Sequence, residues 1–504
     1  MQKRIKQSFR FFTLLMIVSI NNFLFAQFNG SVQTSYQLGN QTDKAPSNKS
    51  DLYNQINIRY LQDDFSLGLR FESNLVDTPG EYNKVSQKYL HYNHNNFQLK
   101  VGNFYEILGR GLLVRSYEIP GAIFQDDAAL QRYGFYKDIE GISLRYNDDL
   151  VSTKIFYGRP LDNFLPPASK KRMRRPNLLQ GLEITLNYFE EFSPGILYLR
   201  SDMESRVNEY NGFNVQGNLY DQHQYYVEFV KDSRNRFTLD DASSHAFYGS
   251  FNTGYEFINA SFEYKDYNNF TLGFNDPPPL VRENSYTLLN RATLSINPDN
   301  ERGYQAEILF NIGDFNTITL NHSKTIDNTE VKSKEFIEYY ADLNYYLDDN
   351  TIFKGFADYS QDGSKDTFDR YTLGGSIEFP FSDFWSSTFE VQYQQFGREY
   401  PFLPEINHDG QNVLLDLSVS HAPDLAFGPS VELSNDPLET DRLLKGDQDV
   451  FISWPAVNAS YQYDHNNTIS LFYGKRRGGN ACTGGICYLV LPFEGLELRL
   501  NSRF

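Results

Sequence analysis

Hydrophobic and polar residues alternate one by one along most of this chain. From Phe65 to Glu72 the apolar set is Phe65, Leu67, Leu69 and Phe71, and the set between them is Ser66, Gly68, Arg70 and Glu72. A β-strand sends successive side chains to opposite faces, so this spacing predicts a strand with one face for hydrocarbon and one for water. The same division recurs at Ile142, Leu144 and Tyr146, at Leu182, Ile184, Leu186 and Tyr188, at Phe389, Val391 and Tyr393, and at Val457, Ala459, Tyr461 and Tyr463. A soluble sandwich also alternates, but a chain of this length would then break into domains of about 100 to 150 residues with linkers. No such linkers are visible in the sequence.

Turn residues of unequal extent separate these segments. Short connections are predicted at 62–64, 147–149, 348–350 and 464–467, and longer ones, several with proline, at 41–50, 162–177, 275–284, 399–411 and 434–449. Proline cannot donate to a ladder, which puts the longer ones outside a sheet. Alternating short and long connections suit a transmembrane barrel with short inner turns and long outer loops. About 9 to 11 tilted residues cross the hydrocarbon, so the segments predict an all-β fold: one large antiparallel transmembrane β-barrel of roughly 18 to 22 strands over residues 27–504.

The N-terminus supplies the export route. Lys3, Arg4, Lys6 and Arg10 precede an apolar run from Phe11 to Ile20, and the pattern predicts a signal peptide over 1–26, cleaved after Ala26 despite Leu24 where a small residue is usual. The apolar run is about half of what a spanning helix needs. Mean hydropathy is −0.53, which alone suggests a soluble protein, yet the chain holds 42 Phe and 36 Tyr. A barrel reconciles the two, because its polar lumen face offsets an apolar outer band with aromatic girdles. The net charge of −18 becomes −18 − 4 = −22 without the leader's four cations, which argues against nucleic acid as a partner.

Several constellations are candidates for chemistry. The last residues alternate Leu496, Leu498 and Leu500 with Glu497, Arg499 and Asn501 and end on Phe504. This resembles the terminal signal that the barrel-assembly machinery recognises, with Ser502 departing from it. Segment 102–115, GNFYEILGRGLLVR, interrupts the alternation with three glycines, and Arg110 and Arg115 could line a lumen constriction. The alternative is a structural kink whose arginines pair with lumen carboxylates such as Glu72. Its glycine spacing fits neither a dinucleotide fingerprint nor a phosphate loop. Arg70, Arg145, Glu183, Glu390 and Arg499 fall on polar strand faces and would complete a lumen of both signs.

Cys482 and Cys487 flank Gly484 and Gly485. If the glycines are the centre of a hairpin turn, the cysteines face each other in a non-hydrogen-bonded pair, with Cα atoms about 4.5 Å apart, within disulfide range. A structural disulfide is expected, in a hairpin on the outer side. His91 and His94, three apart, fall on opposite faces of a strand and make no metal pair. The basic run Lys170, Lys171, Arg172, Arg174 and Arg175 is either a solvated loop or a contact for lipopolysaccharide phosphates. Trp385 and Trp454 suit an interfacial girdle, and ordinary strand packing accounts for them equally well. No His-Glu-x-x-His helix and no Gly-x-Ser-x-Gly elbow with a triad is present, so no enzyme, metal or cofactor is expected.

Segment 102–115, the run from Arg476 to Cys487 and the terminal Arg503-Phe504 resemble an uncharacterised family of Bacteroidota outer-membrane β-barrel proteins. The resemblance implies an outer-membrane location in a Gram-negative envelope and no known reaction. The expected function is a porin-like channel or a membrane-embedded component of a surface assembly, whose partners are outer-membrane lipid, lipopolysaccharide, the assembly machinery and surface or periplasmic proteins. The alternatives are a barrel-based outer-membrane enzyme, which alanine replacement at a converging nucleophile and base would reveal, and a secreted β-rich adhesin, which would purify without detergent. A receptor with an N-terminal plug domain is disfavoured because alternation starts by Phe28.

Overall fold

The computed structural model describes residues 28–504 apart from 41–48, 77–80, 127–130, 162–176, 204–205, 234–243, 271, 273, 279–281, 295–299, 328–333, 349, 400–406, 437–449 and 484. The expected leader over 1–26 and the basic run at 170–175 lie outside the described residues. Among those described, 24 strands form one antiparallel sheet that closes on itself. Strand Phe28–Asn40 pairs with Lys49–Gln62 on one edge and with the final strand, Phe493–Arg503, on the other. Closure satisfies every edge, which a sheet in lipid requires.

The alternation behaves as its period demands. Phe65, Leu67 and Leu69 are exposed on the outer face, whereas Ser66, Arg70 and Glu72 are buried inside. Ile142, Leu144, Phe389, Val391, Val457 and Tyr461 are likewise outward and exposed. The short connections gather at one end of the barrel. There Asp148 accepts from the N–H groups of Leu150 and Val151 at 2.8 and 2.7 Å, and Asp348 from those of Asn350 and Thr351 at 2.9 and 2.7 Å. These aspartates close the turn with their own side chains. Trp385 packs at this end against His421, ring centroids 4.7 Å apart.

The strand number corrects the expected 18 to 22. In Arg206–Leu219 the outward row runs Val207, Glu209, Asn211, Phe213, Val215, because the strand extends beyond an apolar band. Polar residues on both faces of such extensions hide strand boundaries from an alternation count.

The final strand keeps Leu496, Leu498 and Leu500 outward and Glu497 and Arg499 inward. Phe504 and Gly30 exchange backbone bonds of 2.8 and 3.1 Å, and the Phe504 ring lies where a side chain on residue 30 would sit, 2.6 Å from its Cβ.

Three segments leave the wall from the end opposite the short turns, and each departs and returns at facing residues. Phe104 faces Ile139, Asp266 faces Arg302, and Arg476 faces Phe493. The wall is therefore continuous without the first insert (105–138), the second (269–300) or the third (477–492).

Candidate functional site

The described residues of all three inserts fold into the lumen. The first makes a two-residue ladder, Ile107–Leu108 with Val114–Arg115, and then a hairpin, Tyr117–Asp126 with Gln131–Lys137. Leu108, Leu112, Leu113 and Val114 pack in one cluster with the inward side chains Phe156, Leu179, Leu197, Leu199 and Val230 of the wall. An apolar patch on a lumen face is unexpected in a water-filled pore; here it is the dock for the insert.

Segment 102–115 is thus neither a kink in the wall nor a simple arginine constriction. Its anchors are backbone groups. Gly109 N–H donates to Glu183 at 3.1 Å and Arg110 N–H to Glu228 at 2.7 Å, while the Arg110 guanidinium lies over the Tyr226 ring, 4.9 Å from its centroid. Gly109 has φ +55°, and a Cβ there would lie 2.3 Å from a Glu228 oxygen. Glycine serves both the left-handed backbone and the close approach. Arg115 N–H donates to Asn275 at 2.6 Å, and the Asn275 amide returns to the carbonyls of Gly111 and Leu112.

Glu72 meets other partners than Arg110 and Arg115. It accepts from Tyr53 and Tyr136 hydroxyls at 3.0 Å each and from Gly134 N–H at 2.7 Å. Glu106 of the first insert pairs with Arg145 and accepts from Ser143 at 2.8 Å. Arg70 binds Glu118 at 2.7 Å, and Arg132 donates to Ser35 Oγ at 2.5 Å. Burial, reinforced by Glu118, holds the Tyr105 hydroxyl well above its ordinary pKa.

The second insert carries a short helix, Thr287–Ala292. Arg282 pairs with Glu307 and with Asp342 at 3.0 Å, Leu288 N–H donates to Gln392 at 3.0 Å, and Tyr286 stacks on Phe356 with centroids 3.9 Å apart. Burial, followed by the charges of Asp342 and Glu390, pushes the Tyr286 hydroxyl up to about 12.

The third insert contains the disulfide. Gly479–Thr483 pairs with Ile486–Val490, Cys482 faces Cys487, and their sulfurs are bonded at 2.04 Å. The bond and register agree with the sequence, and the hairpin leaves the wall at the end opposite the short turns. The hairpin turns inward onto the second insert: Asn290 takes the Cys482 N–H at 2.7 Å and donates to its carbonyl at 2.8 Å, Gly485 N–H donates to Glu283 at 2.9 Å, and Tyr488 meets Phe135 with centroids 5.1 Å apart. Glu432 joins the second and third inserts to the wall through Arg291 and, at 2.7 Å, Arg477. Arg477 also covers Trp454, which therefore faces the lumen and is no girdle residue.

The polar lining carries both signs, as the sequence predicts. Lys154 pairs with Glu183 at 2.8 Å and stands beside Arg145 in cross-strand register, as does Lys100 beside His91. Glu390 stands in register with Asp416 on the later strands, on the far side of the ring. Arg499 pairs with Glu497 on the closing strand. His91 is inward and His94 sits at a turn, bound to Asp64 at 2.6 Å. Among the described residues, no group of three or more His, Cys, Asp or Glu could hold a metal ion.

A family described as a family of unknown function (DUF6029) matches residues 3–362 and 439–504. The chain belongs to that family. No curated relative matches the sequence. Among solved structures, the DUF6029 chain is similar to the P pilus usher PapC translocation pore, with 9% identity over 95% of this chain and 99% of that one and a TM-score of 0.48. It is also similar to Pseudomonas aeruginosa OpdQ, with 12% identity over 66% and 93% and a TM-score of 0.38. The Escherichia coli capsule-assembly protein Wzi, titled a carbohydrate-binding β-barrel, gives 13% identity over 73% and 88% and a TM-score of 0.38.

The inward course of the described residues of the three inserts was not legible in the sequence. One signal was available: Leu112, Leu113 and Val114 are consecutive apolar residues in a segment that leaves the alternating pattern.

Proposed function

We propose that this protein is an outer-membrane pore closed by its own outer loops, with the three inserts acting as an internal plug. The observation that carries this reading is that each insert leaves and re-enters a complete wall at facing residues. A segment that the wall does not need, packed on a dedicated lumen patch, suits a gate better than a structural strut. The outward apolar face and polar lumen support a location in the outer membrane, with lipid and lipopolysaccharide around it. No reaction is part of the proposal.

The test is conductance. The purified protein in a planar bilayer should hold mostly closed, and excision of 105–138 with Phe104 joined to Ile139 through a two-residue turn should yield large, stable steps. Equal conductance in the two proteins would sink the plug. Envelope fractionation, with a mobility shift on boiling, tests the membrane location separately.

A further inference from the structure

Beneath the first insert, against the first strands of the wall, lies a cavity of about 500 Å³ lined by Arg59, Arg70, Tyr89, His91, Glu118 and Arg503. Arg70 is buried, with 8% of its side chain exposed; its Nε donates to Asn57 at 2.6 Å and one Nη to Glu118 at 2.7 Å, but Nη1 has no partner among the described residues. Arg59 donates through Nε to Ser66 at 3.2 Å and, among the described residues, forms no ion pair with a carboxylate.

The wall assembles these groups by register. Arg59 faces Gly68, Gly68 faces Tyr89, and Ser66 faces His91. Gly68 leaves the space that the Tyr89 ring occupies, since a Cβ there would lie 2.1 Å from the ring. The phenol is thereby laid across its neighbouring strand toward Arg59, with its ring stacked on His91 at 4.5 Å.

We propose that this cavity binds a small anionic solute through an oxyanion, carboxylate or phosphate. A buried guanidinium with an unpartnered donor carries an unmet desolvation penalty, and an oxyanion relieves it through charge-assisted bonds. Three guanidinium groups line the cavity with two carboxylates, that of Glu118, already held by Arg70 and, at 2.7 Å, by the Tyr105 hydroxyl, and that of the terminal Phe504, which accepts from Gly30 N–H at 2.8 Å, so the lining is net positive by one charge. The set repels cations, and the volume is that of a small-molecule site. The inference deepens the pore reading and rests on it only in requiring that lumen solute reach the cavity.

The test is calorimetric titration of the full-length processed protein in detergent, with inorganic phosphate and in a second arm acetate, sodium chloride holding ionic strength constant. Saturable one-site binding by either anion is expected, and the stronger arm names the group. Arg59→Gln should weaken it at least tenfold and Tyr89→Phe severalfold, each variant retaining the mobility shift on boiling. Lys475→Gln, distant on the wall, should bind as the parent does. No saturable binding by either anion, or unchanged affinity in folded Arg59→Gln and Tyr89→Phe, would overturn the site. That outcome leaves the plug standing, because binding is read without conductance, and failure of the excision experiment leaves the binding result untouched.

Discussion

At the residue scale, the inserts are held by wall carboxylates that receive their backbone and side-chain donors. Glu432 is the clearest, since it receives both Arg291 and Arg477. Removing one partner of a buried charge pair strands the other, at about 3 to 5 kcal/mol. Glu432→Ala is therefore expected to free the second and third inserts and to raise protease cleavage within 269–300 and 477–492 while the boiling shift persists; unchanged cleavage would count against the hub. Gly109→Ala forces a side chain into a left-handed backbone and against Glu228, so the first insert should loosen and channel openings lengthen. The tyrosines give a pH dependence. Tyr105 and Tyr286 have hydroxyl pKa values raised above the ordinary 10.0, Tyr286 to about 12. A raised pKa means that the docked plug favours the protonated phenol. That contribution is complete below pH 10 and is lost as pH climbs toward 12. Conductance should rise reversibly in that window, and Tyr286→Phe should diminish the rise; a flat profile would refute the coupling.

At the scale of elements, short turns and inserts obey different physics. The short turns are closed locally by Asp148, Asp348 and Asp464, whose carboxylates sit below the usual range because they accept turn donors, the largest influence being the Tyr146 hydroxyl for Asp148 and backbone N–H groups for Asp348 and Asp464. They were legible because an Asx turn needs only a few adjacent residues. The inserts have no such local closure. The Cys482–Cys487 hairpin is self-contained in register, which spacing revealed, but its place depends on Asn290, far away in sequence. Replacing both cysteines with alanine should remove about 2 kcal/mol of loop restraint. The expected result is faster hydrogen exchange confined to 479–490 and 283–292; uniform exchange change across the wall would contradict an insert-specific role.

For the whole molecule, the period of two, the aromatic content and the unequal connections were enough to specify a closed antiparallel barrel, because each strand must present oil and water faces wherever it sits in the ring. The inward placement of Arg70, Glu72, Arg145, Glu183, Glu390 and Arg499 followed from the same parity. The strand number did not, since strands longer than the apolar band lose their alternation at the ends. Nor did the contents of the lumen. Whether a loop stands outside or folds in depends on Leu113 joining one buried cluster with Leu197 and Leu199 of the wall, and on Glu228 meeting an N–H more than 100 positions earlier. Parity is a property of neighbours along the chain and can be read there; occupancy of an enclosed space is decided by residues brought together only when the ring closes.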